Sequence, residues 1–172
     1  MRRTLIVFGV STLLMGAGAA SASAASTRAE YIAQVDPICQ SFEGPVDGAW
    51  AAYVRNDKRW ARASKYGASK AIVRTAKRTA RSLAGWAQTL TRLIDQVAPV
   101  PPPAEDALTV STWLDLRRQA NANEMSAASA LKRGNAPKYF RLLRPADAEA
   151  DASERAISGF GFQACGRVTR SR

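Results

Sequence analysis

SKAIVRTAKRTARSLAGWAQTLTRLIDQV, residues 69–97, is the stretch from which the fold can be read. Ile72, Ala76, Ala80, Leu83, Ala87, Leu90, Ile94 and Val97 recur at steps of three and four. That spacing puts them on one face of a helix. Lys70, Arg74, Lys77, Arg78 and Arg81 fall on the opposite face as one basic stripe. A helix of this span would be about 43 Å long.

Downstream, Pro99-Val100-Pro101-Pro102-Pro103 cannot continue a helix and marks a stiff, extended break at 99–103. Pro103 suits the first position of the next helix, with Glu105 and Asp106 in its first turn. That helix carries Leu108, Trp113, Leu116, Ala120, Met125, Ala128 and Leu131, and Lys132-Arg133-Gly134 stops it. Asn135-Ala136-Pro137 restarts the chain, Tyr139, Phe140, Leu142 and Leu143 follow, and Pro145 is expected to interrupt. Ala148, Ala152, Ala156, Ile157 and Phe160 continue the helical pattern to Cys165.

Upstream, Gly67 breaks the pattern. A stretch from Asp47 to about Lys65 carries Trp50, Tyr53, Val54 and Trp60, and Gly44-Pro45 marks an end or bend before it. Thr27-Arg28-Ala29-Glu30 has the form of a capping box, a hydroxyl followed three residues later by a carboxylate. It would open a first helix bearing Tyr31, Val35, Ile38, Cys39, Phe42 and Val46, kinked at Pro37.

No alternating stretch of strand length occurs. Long amphipathic segments with short connections predict an all-α, antiparallel four-helix bundle, with room for an extra short helix. Its 172 residues allow one domain.

Residues 1–24 have the order of a secretory signal peptide. Met1-Arg2-Arg3 is the basic start, the apolar run goes from Leu5 to about Met15, and Ala22-Ser23-Ala24 is the cleavage box. The apolar run is too short to span a bilayer comfortably. The expected product is a single helical domain over 25–172, secreted or associated with the cell envelope. Cys39 and Cys165, an even pair in an exported chain, predict a disulfide joining the first and last helices. The chain-entropy model gives about 5 kcal/mol as an upper figure for a loop of that length.

Composition excludes several chemistries. The chain has no histidine, the commonest general base and metal ligand, so Ser-His and Cys-His nucleophiles cannot form. Two cysteines cannot make a four-cysteine zinc site. No nucleophile elbow, phosphate loop or metal-ligand spacing occurs. Asp147, Glu149, Asp151 and Glu154 are the only dense carboxylates, and they read as a helix N-terminal cluster after Pro145. No enzyme activity, metal or cofactor is expected.

The charge is concentrated. The net charge is +11, and the leader removes Arg2 and Arg3. Arg55, Lys58, Arg59, Arg62, Lys65, Lys70, Arg74, Lys77, Arg78 and Arg81 lie in one stretch, with Asp57 its sole acid. The rest of the exported chain is balanced. Such a surface favours anionic lipid or cell-wall polymer. Nucleic acid ranks last, because an exported protein seldom meets it. An acidic stripe of Asp147, Asp151 and Glu154 offers a competing internal partner for the basic one. Trp60 lies among the charges, and Trp86 is one position off the apolar stripe and is expected to be part-exposed. Both are candidate partner contacts.

The layout resembles a family of small alanine-rich proteins exported by actinobacteria. The resemblance rests on the leader, Tyr31, Ile38-Cys39, the Pro101-Pro102-Pro103 break and the Gly161-Phe162-Gln163-Ala164-Cys165-Gly166 close. It implies a fold and a compartment and carries over no functional residue. Two functional readings follow. One is an exported, non-enzymatic protein held electrostatically on the anionic envelope through 55–81. The alternative is a soluble extracellular module that holds a protein or small ligand between its helices, around Trp50, Trp60, Trp86 and Trp113.

Overall fold

The computed structural model describes residues 27–168; the expected leader, 1–24, lies outside them. The described chain is 86% helical and contains no strand. Four long helices follow in order: α1 (Arg28–Tyr66), α2 (Ser69–Val97), α3 (Ala107–Lys132) and α4 (Ala136–Ala156). A short α5 (Cys165–Val168) closes the chain, and a single 3-10 turn, Ala104–Asp106, precedes α3. The all-α four-helix arrangement with an extra short helix is as the sequence predicts.

The capping box at Thr27 forms. Its hydroxyl accepts the Glu30 N–H at 3.2 Å, and the Glu30 carboxylate accepts the Thr27 N–H at 3.2 Å. Gly67 ends α1 where only glycine fits, because a Cβ there would lie 2.6 Å from the Ala63 carbonyl oxygen. Gly134, at φ +81°, ends α3.

Two expectations about prolines are corrected: Gly44-Pro45 does not end a helix, and Pro145 does not interrupt one. Pro37 lies in the same helix as Pro45, an unbroken α1 of 39 residues. Pro145 likewise lies inside α4. An interior proline costs roughly 3 kcal/mol. Here buried neighbours offset it: Val35, Cys39 and Val46 around Pro37 and Pro45, and Ala146 beside Pro145. Pro103 caps the 3-10 turn instead of starting α3. The final helix stops at Ala156, and Cys165 belongs to α5 after a loop.

Polar contacts trace the order of the helices around the bundle. Asn56 of α1 donates to Ser82 of α2 at 3.3 Å, and Asn121 of α3 donates to Thr91 of α2 at 3.3 Å. Asn123 of α3 donates to Glu149 of α4 at 2.7 Å, and the Tyr53 and Tyr139 hydroxyls join α1 to α4 at 2.8 Å. The seams differ in width. Ala127, Ala128, Ala146 and Ala150 are buried where α3 and α4 pack closely. The α1 and α4 backbones stay further apart, and aromatic side chains fill that seam. Trp60 packs edge-on against Tyr139 at 5.5 Å and stacks on Phe140 at 5.9 Å.

The disulfide between Cys39 and Cys165 joins α1 to α5, with the Cα atoms 5.0 Å apart. It stands at the end of the bundle opposite the α1–α2 turn. Arg28 adds a second tie there, donating to the buried Asp106 carboxylate from two guanidinium nitrogens at 2.5 and 2.9 Å. This guanidinium holds the Asp106 carboxyl below the usual carboxylate range.

Candidate anionic-surface site

The two-residue turn at Gly67-Ala68 folds the C-terminal half of α1 back along the N-terminal half of α2. The ten predicted cations therefore lie on two adjacent helices, not along one line. Arg55, Lys58, Arg59, Arg62, Lys65, Lys70, Arg74, Lys77, Arg78 and Arg81 are all exposed. None makes an ion pair among the described residues.

Their positions follow from helix geometry. Ala76, Ala80 and Leu83 of α2 turn inward and are buried, so the residues between them must face out. On the α1–α2 seam, Arg59, Arg78 and Arg81 surround an open groove whose polar lining is Asn56 and Ser82. On the other flank of α2, Lys70, Arg74, Lys77 and Arg81 border a shallow depression containing Val73. Asp57, the one acid of the stretch, lines an inner cavity, where burial pushes its carboxyl above the usual range.

Sequence reading missed the other half of this surface. The C-terminus of α3 and the first half of α4 meet at the same end of the bundle and bring Lys132, Arg133, Lys138, Arg141 and Arg144 to it. These five are exposed, and no acid interrupts the stretch from 132 to 144. The linear clue was present, but 51 positions separate Arg81 from Lys132 and only the bundle adds them together. Tyr66, Val73 and Phe140, three of the four large apolar side chains left exposed, lie at this basic pole.

The acidic stripe of α4 does not neutralise it. The α4 helix packs on α3 and α1, diagonally across from α2. Asp151 and Glu154 act on the buried Arg117 of α3, while Asp147 lines the inner cavity. These carboxylates are not a helix N-terminal cluster, since α4 begins at Ala136.

Trp60 and Trp86 are not on the surface. They are 8% and 7% exposed. Trp86 lies on the flank of α2 that faces α1, with its ring centroid 4.8 Å from that of Trp50. The expectation of a part-exposed Trp86 is corrected, because α1 and α3 both pack on α2 and cover more than one narrow stripe.

No helix among the described residues is long and apolar enough to cross a membrane. Comparison with protein-family models, curated proteins and solved structures finds no match, so the resemblance to exported actinobacterial proteins rests on the short motifs alone.

Proposed function

We propose that this is an exported, non-enzymatic helical protein that associates electrostatically with the anionic cell envelope through its basic pole. The observation that carries the reading is the gathering of exposed cations without ion pairs on four helix segments at one end of the bundle. Cations drawn from four helices give this end of the bundle more positive charge than a stripe on a single helix would. A Lys or Arg near an anionic bilayer contributes about 1 kcal/mol. Several acting together give useful affinity, while exposed Tyr66 and Phe140 supply interfacial contact. The leader and the disulfide support an extracellular setting.

Co-sedimentation with anionic vesicles, neutral vesicles and purified cell wall across a salt series tests this. Binding to an anionic surface that weakens as salt shortens the screening length supports the reading. Reversing Lys70, Arg74, Lys77 and Arg81 to Glu should abolish it. No binding to any of these surfaces at low salt sinks it. Nucleic acid is a control arm, and binding to it alone would also count against envelope association.

A further inference from the structure

Between the four helices, bordered on one side by Lys58 of the basic pole, lies a cavity of about 330 Å³. One wall is aromatic. Trp50, Tyr53 and Trp86 touch one another there, with centroids 4.8 to 6.4 Å apart. The facing wall is acidic, formed by Glu124 of α3 and Asp147 of α4, with Asp57 of α1 nearby. Glu124 is only 3% exposed, and its Oε2 has no hydrogen-bond partner. A buried carboxylate oxygen left without a partner carries a full desolvation cost, so its position over a cavity calls for an occupant.

We infer that this cavity binds a small alkylated ammonium ion, seated between the Glu124 and Asp147 carboxylates and the faces of Trp50, Tyr53 and Trp86. The two walls ask for the same ligand. Asp147 selects a cation, and an ammonium ion seated beside Glu124 favours the ionised form of that residue, whose proton leaves to solvent on binding. Aromatic faces carry negative charge density and favour a bulky, weakly hydrated cation whose alkyl groups gain from apolar contact. A bare metal ion fits less well, since no group of three His, Cys, Asp or Glu able to hold one occurs among the described residues. An anion would meet three carboxylates and one lysine, Lys58. The width of the α1–α4 seam supplies the space, and the volume is at the small end of ligand sites. The inference does not rest on envelope association, which uses the outer surface of the pole; Lys58 alone borders both.

The disulfide-intact protein would be titrated with tetramethylammonium and choline at constant ionic strength, reading tryptophan fluorescence and thermal shift. Choline's uncharged isostere, 3,3-dimethyl-1-butanol, runs alongside. A saturable response to the ammonium ions, at least about tenfold stronger than to the alcohol, is expected, because each tenfold step needs only about 1.4 kcal/mol of charge-dependent contact. Glu124→Gln keeps the shape and should weaken ammonium binding at least about tenfold. Asp147→Asn, at an exposed position, gives a second reading should the first variant misfold. Three results overturn the inference: no saturable response in the folded wild type, an equal response to the alcohol, or unchanged binding in whichever folded variants are obtained. Vesicle binding of Glu124→Gln should equal that of wild type, so failure here is distinct from failure of the envelope reading.

Discussion

Asp36 accepts the backbone N–H of Cys165 at 3.1 Å, one helical turn before Cys39, the residue to which Cys165 is covalently joined. The same carboxylate accepts the N–H groups of Gln163 at 2.8 Å and Ala164 at 3.0 Å. A chain end that leaves α4 at Ala156 is thus held on α1 twice, by a covalent bond and by three donors on one anion.

Replacing both cysteines by serine should lower stability by about 2–5 kcal/mol. Asp36→Ala, with the disulfide intact, should cost about 1–3 kcal/mol, because hydrogen bonds to a charged acceptor are stronger than neutral ones. Urea unfolding checks both. Hydrogen exchange at Gln163 and Ala164 should speed up in Asp36→Ala. Unchanged exchange there would show that the carboxylate does not hold the segment.

Lys138→Glu, Arg141→Glu and Arg144→Glu, combined in one variant, leave the stretch from 55 to 81 untouched. If the pole acts as one surface, this variant should lose most anionic-vesicle binding and show a shallower salt dependence. Wild-type binding would confine the interface to the α1–α2 hairpin. Thermal unfolding should shift little, since all three side chains are exposed and make no ion pair among the described residues.

Glu124 should make stability fall as pH rises. Burial pushes its carboxyl from the usual 4.5 to about 8, against the pull of Arg117 on the same helix. Asp147 and Glu149 of α4 push the same way. Tyr53, Asp57 and Lys58 face the cavity from α1, and α2 contributes only uncharged Leu83 and Trp86. Between the two values the folded state keeps a proton that the unfolded state has released, so stability declines across that window and levels off above it. Glu124→Gln should flatten the decline and be the more stable protein on the alkaline side. Thermal unfolding of both proteins from about pH 5 to about pH 9 reads the difference. Parallel curves would show that Glu124 is ionised throughout.

Arg117→Met should be the most damaging single change. Arg117 is fully buried, with the charges of Glu124, Glu154 and Asp151 around it. Its removal takes the compensating charge from half-buried Glu154 and buried Glu124 and empties a fully buried site, a loss of about 3–5 kcal/mol. Chemical denaturation measures it, and a cost below about 1 kcal/mol would mean that those carboxylates reach water or take up protons at little cost.

Much of the fold was legible because helix periodicity and capping are local. Residues 69–97 announce their own face, Thr27 and Glu30 their own cap, and Gly134 its own stop. The prolines misled for the opposite reason. Whether a helix passes through Pro45 or Pro145 depends on whether packing on both sides outweighs one missing hydrogen bond, and that packing comes from other helices. Trp86 misled similarly, because a single-helix projection cannot count how many neighbours cover it.

By itself the sequence determined the all-α class, the faces of α2, the pairing of its only two cysteines and the basic run from Arg55 to Arg81, all of them properties of spacing and composition. Only the tertiary structure decided that Lys132 to Arg144 complete that surface. It also decided that the α4 carboxylates turn to Arg117 and the cavity instead of the basic stripe, and that Trp50, Tyr53 and Trp86 face Glu124. Each of these depends on which helix is neighbour to which and at what distance. Alanines draw α3 and α4 together while aromatic rings hold α1 and α4 apart, and the cavity lies in the space between.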